Sequence, residues 1–187
     1  MIYRAYYAYI RAPRMNSRGE NTSAIFGFII TLEDLIKRIK PTHIAVAFDP
    51  AGPTFRHEVF EEYKAQRQET PEDIRRAVPK IKQILLAMNI PILEMAGYEA
   101  DDLIGTLSKQ ADQAGFEVYM ATPDKDYGQL VSERVFMYRP RHTGGFEKMG
   151  PREVCEKYGL QNPMQVIDLL GLMGDSSDNI PGCKGVG

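Results

Sequence analysis

Two cysteines, Cys155 and Cys183, in a chain of 187 residues are too few for a disulfide framework, and a chain of this length can bury a core without such staples. Both are expected to be plain buried thiols in a protein suited to a reducing compartment. Long apolar runs are missing too. The apolar start, Ala5 to Ile10, is bracketed by Arg4 and Arg11, falls far short of the ~20 residues of a membrane span, and lacks a signal-peptide cleavage pattern. The reading is cytoplasmic and soluble, with no membrane partner. No sign of charge dominates: 23 basic against 25 acidic side chains leave a formal charge of −2. That balance excludes a generally basic nucleic-acid coat, so any DNA or RNA contact must come from local patches. Repeats and low-complexity tracts are absent. The three histidines, His43, His57 and His142, are scattered without metal-ligand spacing and receive no role. With 43% hydrophobic residues, collagen-like, mucin-like and disordered chains are ruled out. The length predicts one domain with part of a second.

The one basic segment is Met1 to Arg18, where Arg4, Arg11, Arg14 and Arg18 interleave with Tyr3, Tyr6, Tyr7 and Tyr9 and no acid occurs. Ile25, Phe28, Ile29, Leu32, Leu35, Ile36 and Ile39 then repeat with the spacing of one buried helix face, and Pro41 follows. His43 to Phe48 is a short β-branched and apolar run that ends at Asp49, which places Asp49 at a strand's carboxyl end. Thr70-Pro71-Glu72-Asp73 reads as an N-cap, a first-turn proline and an early acid opening another helix, with Val78, Ile81, Leu85 and Met88 as its stripe. Ile90 to Met95 and Phe116 to Ala121 are further strand candidates. Glu99-Ala100-Asp101-Asp102 opens a helix between them, and Asp124-Lys125-Asp126 follows the second. Alternation of strand, acid and helix predicts an α/β domain with a mostly parallel sheet, whose ligand edge lies at the strands' carboxyl ends. Beyond Gly150, helices are expected from Pro151 to Tyr158 and from about Asn162 to Met173, before a glycine-rich turn reaching Gly187.

Eight acids stand out: Asp49, Glu99, Asp101, Asp102, Asp124, Asp126, Asp175 and Asp178. Two carboxylates about 4 Å apart repel by roughly 4 kcal/mol at an effective dielectric near 20, so such a cluster needs cations. Oxygen ligands without histidine or cysteine select Mg²⁺ or Mn²⁺, and two such ions suit phosphodiester hydrolysis. Each group has a plainer explanation. Glu99, Asp101 and Asp102 could be macrodipole partners at a helix start, Asp124 to Asp126 an ordinary turn, and Asp175 or Asp178 an N-cap. Three separate clusters at strand and helix ends weigh against coincidence.

FDPAGPTFRHEVFEEYKAQR (Phe48 to Arg67), GYEADDLIGTL (Gly97 to Leu107), TPDKDYGQLV (Thr122 to Val131) and GLMGDSSDNIPGCKGVG (Gly171 to Gly187) closely resemble the 5′ nuclease domain of bacterial DNA polymerase I. The wider superfamily includes phage 5′ exonucleases and eukaryotic flap endonucleases. The resemblance runs from Tyr3 to the last residue. It implies a PIN-like, resolvase-like α/β core over residues 1–148, with a helical arch, and the start of a helix-three-turn-helix over 149–187. It further implies a catalytic ion held by Asp49, Glu99, Asp101, Asp102 and Asp124, with Asp126, Asp175 and Asp178 completing a second metal site. Arg4, Tyr63, Lys64 and Arg67 match positions near the scissile phosphate or on the arch, where Lys64 or Arg67 would stabilise phosphate charge in the transition state. Gly182, Lys184, Gly185 and Gly187 match a backbone grip on duplex phosphates that uses K⁺. The implied activity is cleavage near the junction of a 5′ DNA flap, or at a nicked duplex, in primer removal and repair. The implied setting is the bacterial cytoplasm at the nucleoid, with a polymerase portion following in the full-length protein.

The family pattern begins with a core strand carrying an aspartate upstream of the YRAYYA segment, and it continues into a second helix after Gly187. The resemblance therefore implies a chain truncated at both ends and less active than a complete domain. Two rival readings stand beside the nuclease. One is a DNA-junction-binding fragment that cannot cleave; the other is a PIN-type ribonuclease, against which the arch segment and the glycine-rich terminus speak.

Overall fold

The computed structural model describes residues 1–141 and 145–186, so His142 and the expected phosphate contact Gly187 lie outside the described residues. The chain folds as two compact units, one of Met1–Phe48 and Gln68–Leu93, the other of Asp49–Arg67 and Glu94–Gly187. Among the described residues, no helix is long and apolar enough to cross a membrane.

In the first unit, α1 (Ile2–Ala8) packs on α2 (Ser23–Ile39). Gly27 makes the approach close: a Cβ there would stand 2.9 Å from Cβ of Ala5. The apolar period of α2 buries Ala24, Phe28, Leu32 and Leu35, with Ile25, Ile29 and Ile36 half-covered beside them. The helix ends where Lys40 turns left-handed at φ 50° and returns its N–H to the carbonyl of Ile36. The next helix, α4 (Glu72–Ala87), has Pro71 at the N-cap, one residue later than the sequence suggested. Its buried face is Ile74, Ala77, Ile81 and Leu85, while Met88 caps the helix in an exposed position. The expected stripe is thus shifted one turn toward the N-terminus, and Pro79 is carried inside the helix. Full burial of Ile81 and Leu85 contributes about 1.5–3 kcal/mol each. Strands β1 (Val46–Ala47) and β2 (Ile92–Leu93) pair in parallel beside this core, shorter than the apolar runs that announced them.

The second unit holds α3 (Phe55–Val59), α5 (Ala100–Gln113), β3 (Val118–Met120), a 3₁₀ helix over Lys125–Leu130, β4 (Val135–Pro140), β5 (Phe146–Met149), α6 (Pro151–Tyr158) and α7 (Gln165–Met173). The strand order is β3-β4-β5, with β3 and β4 parallel and β4 and β5 antiparallel. Two of the three described pairings, counting β1 with β2, are parallel, and the architecture is α/β. One face of this sheet, through Met120, Val135, Met137 and Met149, joins Tyr127, Val131, Val154 and Val166 in a second core. The 3₁₀ helix lies tight on α6 and α7 because residue 128 is glycine; a Cβ there would meet Val154 and Val166 at 3.3–3.4 Å. The opposite face carries Tyr119, Phe136, Tyr138 and Phe146, whose rings contact one another, with Lys148 over Phe136 at 3.6 Å. Helix α6 has the bounds the sequence suggested, set by Pro151 at its start and left-handed Gly159 at its end.

Two expectations are corrected. The cysteines are not buried: Cys155 is half-exposed and Cys183 exposed, both as free thiols. On α6 it is the neighbouring Val154 that enters the core, and at Cys183 the backbone rather than the side chain is engaged, through its N–H to Leu172 O. Nor do Tyr63, Lys64 and Arg67 lie on a helix. After α3 the chain runs through successive turns over residues 61–66, and Lys64 adopts φ 59°, which breaks any helical path.

Candidate active site

All eight singled-out acids belong to the second unit. Glu99 is the N-cap of α5, with an extended backbone (φ −83°, ψ 161°) and a capping box shared with Asp102. There Glu99 Oε1 accepts from Lys64 Nζ at 2.7 Å, and Oε2 from Tyr63 Oη at 3.2 Å. The next amide, Ala100 N, donates to Asp49 Oδ1 at 2.8 Å. Asp49 is therefore held at the helix start by the orphan N–H groups that every helix leaves there. Asp101, one residue on, accepts from Tyr127 Oη of the 3₁₀ helix. Burial pushes the Asp101 carboxyl above its usual range, the tyrosine opposes this, and the nearby charges of Asp124, Asp49 and Glu99 add to the rise.

Asp124 caps the 3₁₀ helix, its Oδ1 accepting from Asp126 N at 3.1 Å. Asp126 is the most uncomfortable acid of the group. Burial, with the charge of Asp124 and smaller contributions from Asp175 and Asp178, pushes its carboxyl up to about 6, and its buried Oδ1 has no hydrogen-bond partner. Asp175 folds its own loop by accepting from Ser177 N at 2.7 Å and pairs with Lys125 at 3.1 Å. Burial works against its ionised form, yet the lysine and the loop amides hold its carboxyl below the usual range.

Asp178 is fastened to the turn segment before residue 68. Arg67 Nη2 reaches its Oδ1 at 2.5 Å, Tyr63 Oη its Oδ2 at 3.0 Å, and Lys64 Nζ lies 3.8 Å from Oδ2. Backbone contacts extend the join: Lys64 N to Asp178 O, Arg67 Nε to Ser177 O, Gln66 Nε2 to Ser176 O and Asn179 Nδ2 to Glu62 O. Lys64, Arg67 and Lys125 thus pair with Glu99, Asp178 and Asp175 from within the chain, while the carboxyls of Asp101 and Asp126 are pushed up.

Asp102 stands apart. Both of its oxygens are taken by Arg56 of α3, at 2.8 Å each, and Oδ2 also accepts from Glu99 N at 2.9 Å. The Arg56 hydrogen bonds hold its carboxyl below the usual range. Arg56 had no signal in the sequence beyond the need of a buried acid for a counter-charge. His57, left without a role, receives Thr54 N at 3.1 Å and lies edge-on to Tyr63.

The other expected contacts divide. Arg4 is exposed on α1, in the first unit. Lys184 and Gly185 are exposed, with Gly185 at φ 84°. Gly182 serves its own loop: a Cβ would stand 2.2 Å from Met173 O, so the close approach is to the end of α7.

Among the described residues, no three acid, histidine or cysteine side chains are closed up into a ready ion cage. The chemistry of the donors nevertheless fits a hard cation. They are all carboxylates, two of them are pushed up by burial and by the charges of neighbouring acids, and one buried oxygen is unpartnered.

Residues 1–159 match the 5′-3′ exonuclease, N-terminal resolvase-like domain family. The chain belongs to this family. The 5′-3′ exonuclease of Aquifex aeolicus is 41% identical over 186 residues, which cover 100% of this chain and 62% of that protein. DNA polymerase I of Bacillus subtilis is 46% identical over 185 residues, 98% of this chain but 21% of the polymerase. The exonuclease-family chain thus spans about a fifth of that polymerase. A solved bacteriophage T5 protein, co-crystallised with metal ions, superposes with a TM-score of 0.72 at 26% identity, over 86% of this chain and 63% of its own.

Proposed function

We propose that the chain is the divalent-ion-dependent 5′ nuclease unit of a DNA polymerase I, cutting DNA near 5′-flap junctions and at nicks during primer removal and repair. The observation that carries this reading is the electrostatic imbalance of the second unit. Asp126, raised to about 6 with an orphaned buried oxygen, and Asp101, pushed up by burial and by Asp124, Asp49 and Glu99, each carry a carboxyl that the fold disfavours when ionised, in a chain of the exonuclease family. Asp49, Glu99, Asp101 and Asp124 would hold one Mg²⁺ or Mn²⁺, and Asp126, Asp175 and Asp178 a second. Bound there, hard divalent ions supply Lewis acidity toward the phosphodiester and its attacking water.

The reaction is hydrolysis: a water oxygen bonds to phosphorus as the P–O3′ bond breaks, leaving a 3′-hydroxyl and a 5′-phosphate. Lys64 and Arg67, now on Glu99 and Asp178, would turn their charge to the phosphate that develops negative charge in the transition state. The single hydroxyl proton of Tyr63 stands within reach of both Glu99 and Asp178 and would be donated to one of them at a time. Residues 1–148 would be the nuclease core and 149–187 the start of a helix-three-turn-helix. There Lys184, Gly185 and Gly187 would meet duplex phosphates with K⁺, and Arg4 would be a further DNA contact. The protein would act at the bacterial nucleoid.

The test is cleavage of a labelled 5′-flap duplex with Mg²⁺ or Mn²⁺, beside Asp124→Ala and a chelator control, and with the matching RNA. Cutting of the DNA flap that needs both metal and Asp124 is expected. An intact flap that is still bound would leave a junction-binding protein, and preferential cutting of RNA would leave a ribonuclease.

A further inference from the structure

The Arg56–Asp102 pair is joined by two hydrogen bonds, and Asp102 lies in the first turn of α5, three residues after Glu99. A carboxylate offers about four lone-pair directions. Asp102 spends three of them, on Arg56 Nη1 and Nη2 at 2.8 Å and on Glu99 N at 2.9 Å. Two parallel charge-assisted bonds from one planar guanidinium make a rigid fork. The fork is itself fixed, because Arg56 lies over the ring of Phe55 at 4.6 Å, and Phe55 N donates to Gly97 O at 3.0 Å. Thr54 pairs with Gly97 in a parallel bridge. Helix α3 is therefore tied to the turn before α5 twice, by backbone and by the fork.

What Asp102 holds is the amide of Glu99, the residue whose N-cap conformation sends its carboxylate toward Tyr63 and Lys64. The adjacent amide, Ala100 N, holds Asp49. A shift of Asp102 would thus reach both Glu99 and Asp49 through consecutive peptide groups. Coordination by Asp102 would instead require breaking the fork, leaving a partly buried guanidinium unpaired.

We propose that Arg56 and Asp102 are positioning residues that fix the carboxylates of Glu99 and Asp49 from behind, and that Asp102 is not an ion ligand. This rests on the reading of the acid cluster as a divalent-ion centre. It removes one acid from the ligand set that the family resemblance implied and adds an arginine to the residues the site depends on.

The test is calorimetric titration of the 187-residue chain with Mn²⁺, without DNA. The variants are Arg56→Met, Arg56→Lys, Asp102→Asn and the double variant Arg56→Gln with Asp102→Asn, and Glu99→Gln serves as the ligand control. Loss of a residue that holds a metal ligand in place typically shifts affinity about ten- to a hundredfold. Arg56→Met and Asp102→Asn should each weaken Mn²⁺ binding by about that factor with stoichiometry unchanged. The double variant, which leaves no unpaired charge and so guards against simple misfolding, should be no weaker than either single change. Arg56→Lys should fall between, because an ammonium cannot form the fork. Amide exchange at Glu99 and Ala100 should quicken in the same variants, a local effect that a general loss of stability would not confine there. The proposal is overturned if Asp102→Asn loses an ion from the stoichiometry, or if Arg56→Met leaves affinity unchanged. Absence of Mn²⁺ binding by the unsubstituted chain would overturn the divalent-ion reading itself, and that arm involves no variant.

Discussion

Asp126→Asn should make the ion-free protein more stable near neutral pH, the reverse of the usual effect of removing a half-buried polar group. The folded-state value of Asp126 is raised from 3.8 to about 6, so the folded chain holds a proton that the unfolded chain has released. Stability therefore falls as pH rises from about 4 to 6, and above 6 the whole penalty applies. A rise of that size corresponds to at most about 3 kcal/mol at 1.36 kcal/mol per unit. The side chain keeps considerable contact with water, so screening reduces this to about 1–2 kcal/mol. With a urea slope of about 1–3 kcal/mol/M, the midpoint should rise by roughly 0.5–1 M at pH 7.5 in the presence of a chelator. Ten tyrosines and no tryptophan make tyrosine fluorescence and far-ultraviolet circular dichroism the natural probes. At pH 4, where Asp126 is protonated in the folded state, the gain should vanish. Adding Mg²⁺ at pH 7.5 should raise the midpoint of the unsubstituted chain more than that of the variant, since ligand binding stabilises the state that binds. A variant that is less stable at pH 7.5, or equally stabilised at both pH values, would refute the account of Asp126 as an uncompensated charge.

Three further outcomes follow from particular contacts. Leu85→Ala, at a fully buried position of α4, should lower stability by about 2–5 kcal/mol through lost burial and a residual cavity, read as a fall in urea midpoint. Tyr127→Phe deletes the hydroxyl that donates to Asp101, so the Asp101 carboxyl should titrate at still higher pH in a carbon-13 NMR titration; an unmoved midpoint would sink this. Gly182→Ala places a methyl group 2.2 Å from Met173 O, so it should shift the loop that carries Asp175 and Asp178 and cost about 1–3 kcal/mol. Gly171→Ala, inside α7 with open space around it and no left-handed backbone, should cost less, and the two urea midpoints compared directly decide the point.

How far the sequence spoke depended on how local the signal was. Helix α6 could be bounded at both ends, because a first-turn proline and a left-handed glycine act within a single turn. The buried face of α2 was legible from its period, and the strands before Asp49 and Asp124 from their short apolar runs. Strands β4 and β5 went unread although Val135 and Met137 alternate with Phe136 and Tyr138, because the exposed face of that sheet is aromatic rather than polar and hides the period of two. Helix α1 was masked in the same way by tyrosines on both its covered and its exposed sides. The eight acids were visible as a set because each lies at the end of an element. Their partners were not: Arg67 meets Asp178 across 111 residues and Arg56 meets Asp102 across 46, and no spacing rule reaches so far.

The structure also separates two explanations that a sequence leaves tied, capping and chemistry, because it shows which carboxylates the chain itself satisfies. Asp102 and Glu153 stand at helix starts with amides and, for Asp102, a guanidinium on their oxygens, and both are held below the usual range. Asp112, bonded by Ser132 and Arg134, behaves likewise. Ionisation of such groups favours the fold, so local stability alone is enough to account for them. Asp101 and Asp126 oppose the fold when ionised, and Asp126 does so with a buried oxygen that has no hydrogen-bond partner among the described residues. Residues that break local rules at a cost in stability concentrate where a protein does its work. By that criterion the Asp124-Lys125-Asp126 turn and the start of α5 are not interchangeable acidic caps. Asp102 groups with the acids whose ionisation favours the fold, and Asp101 and Asp126 with those whose ionisation opposes it, which is the distinction on which the proposed ion site rests.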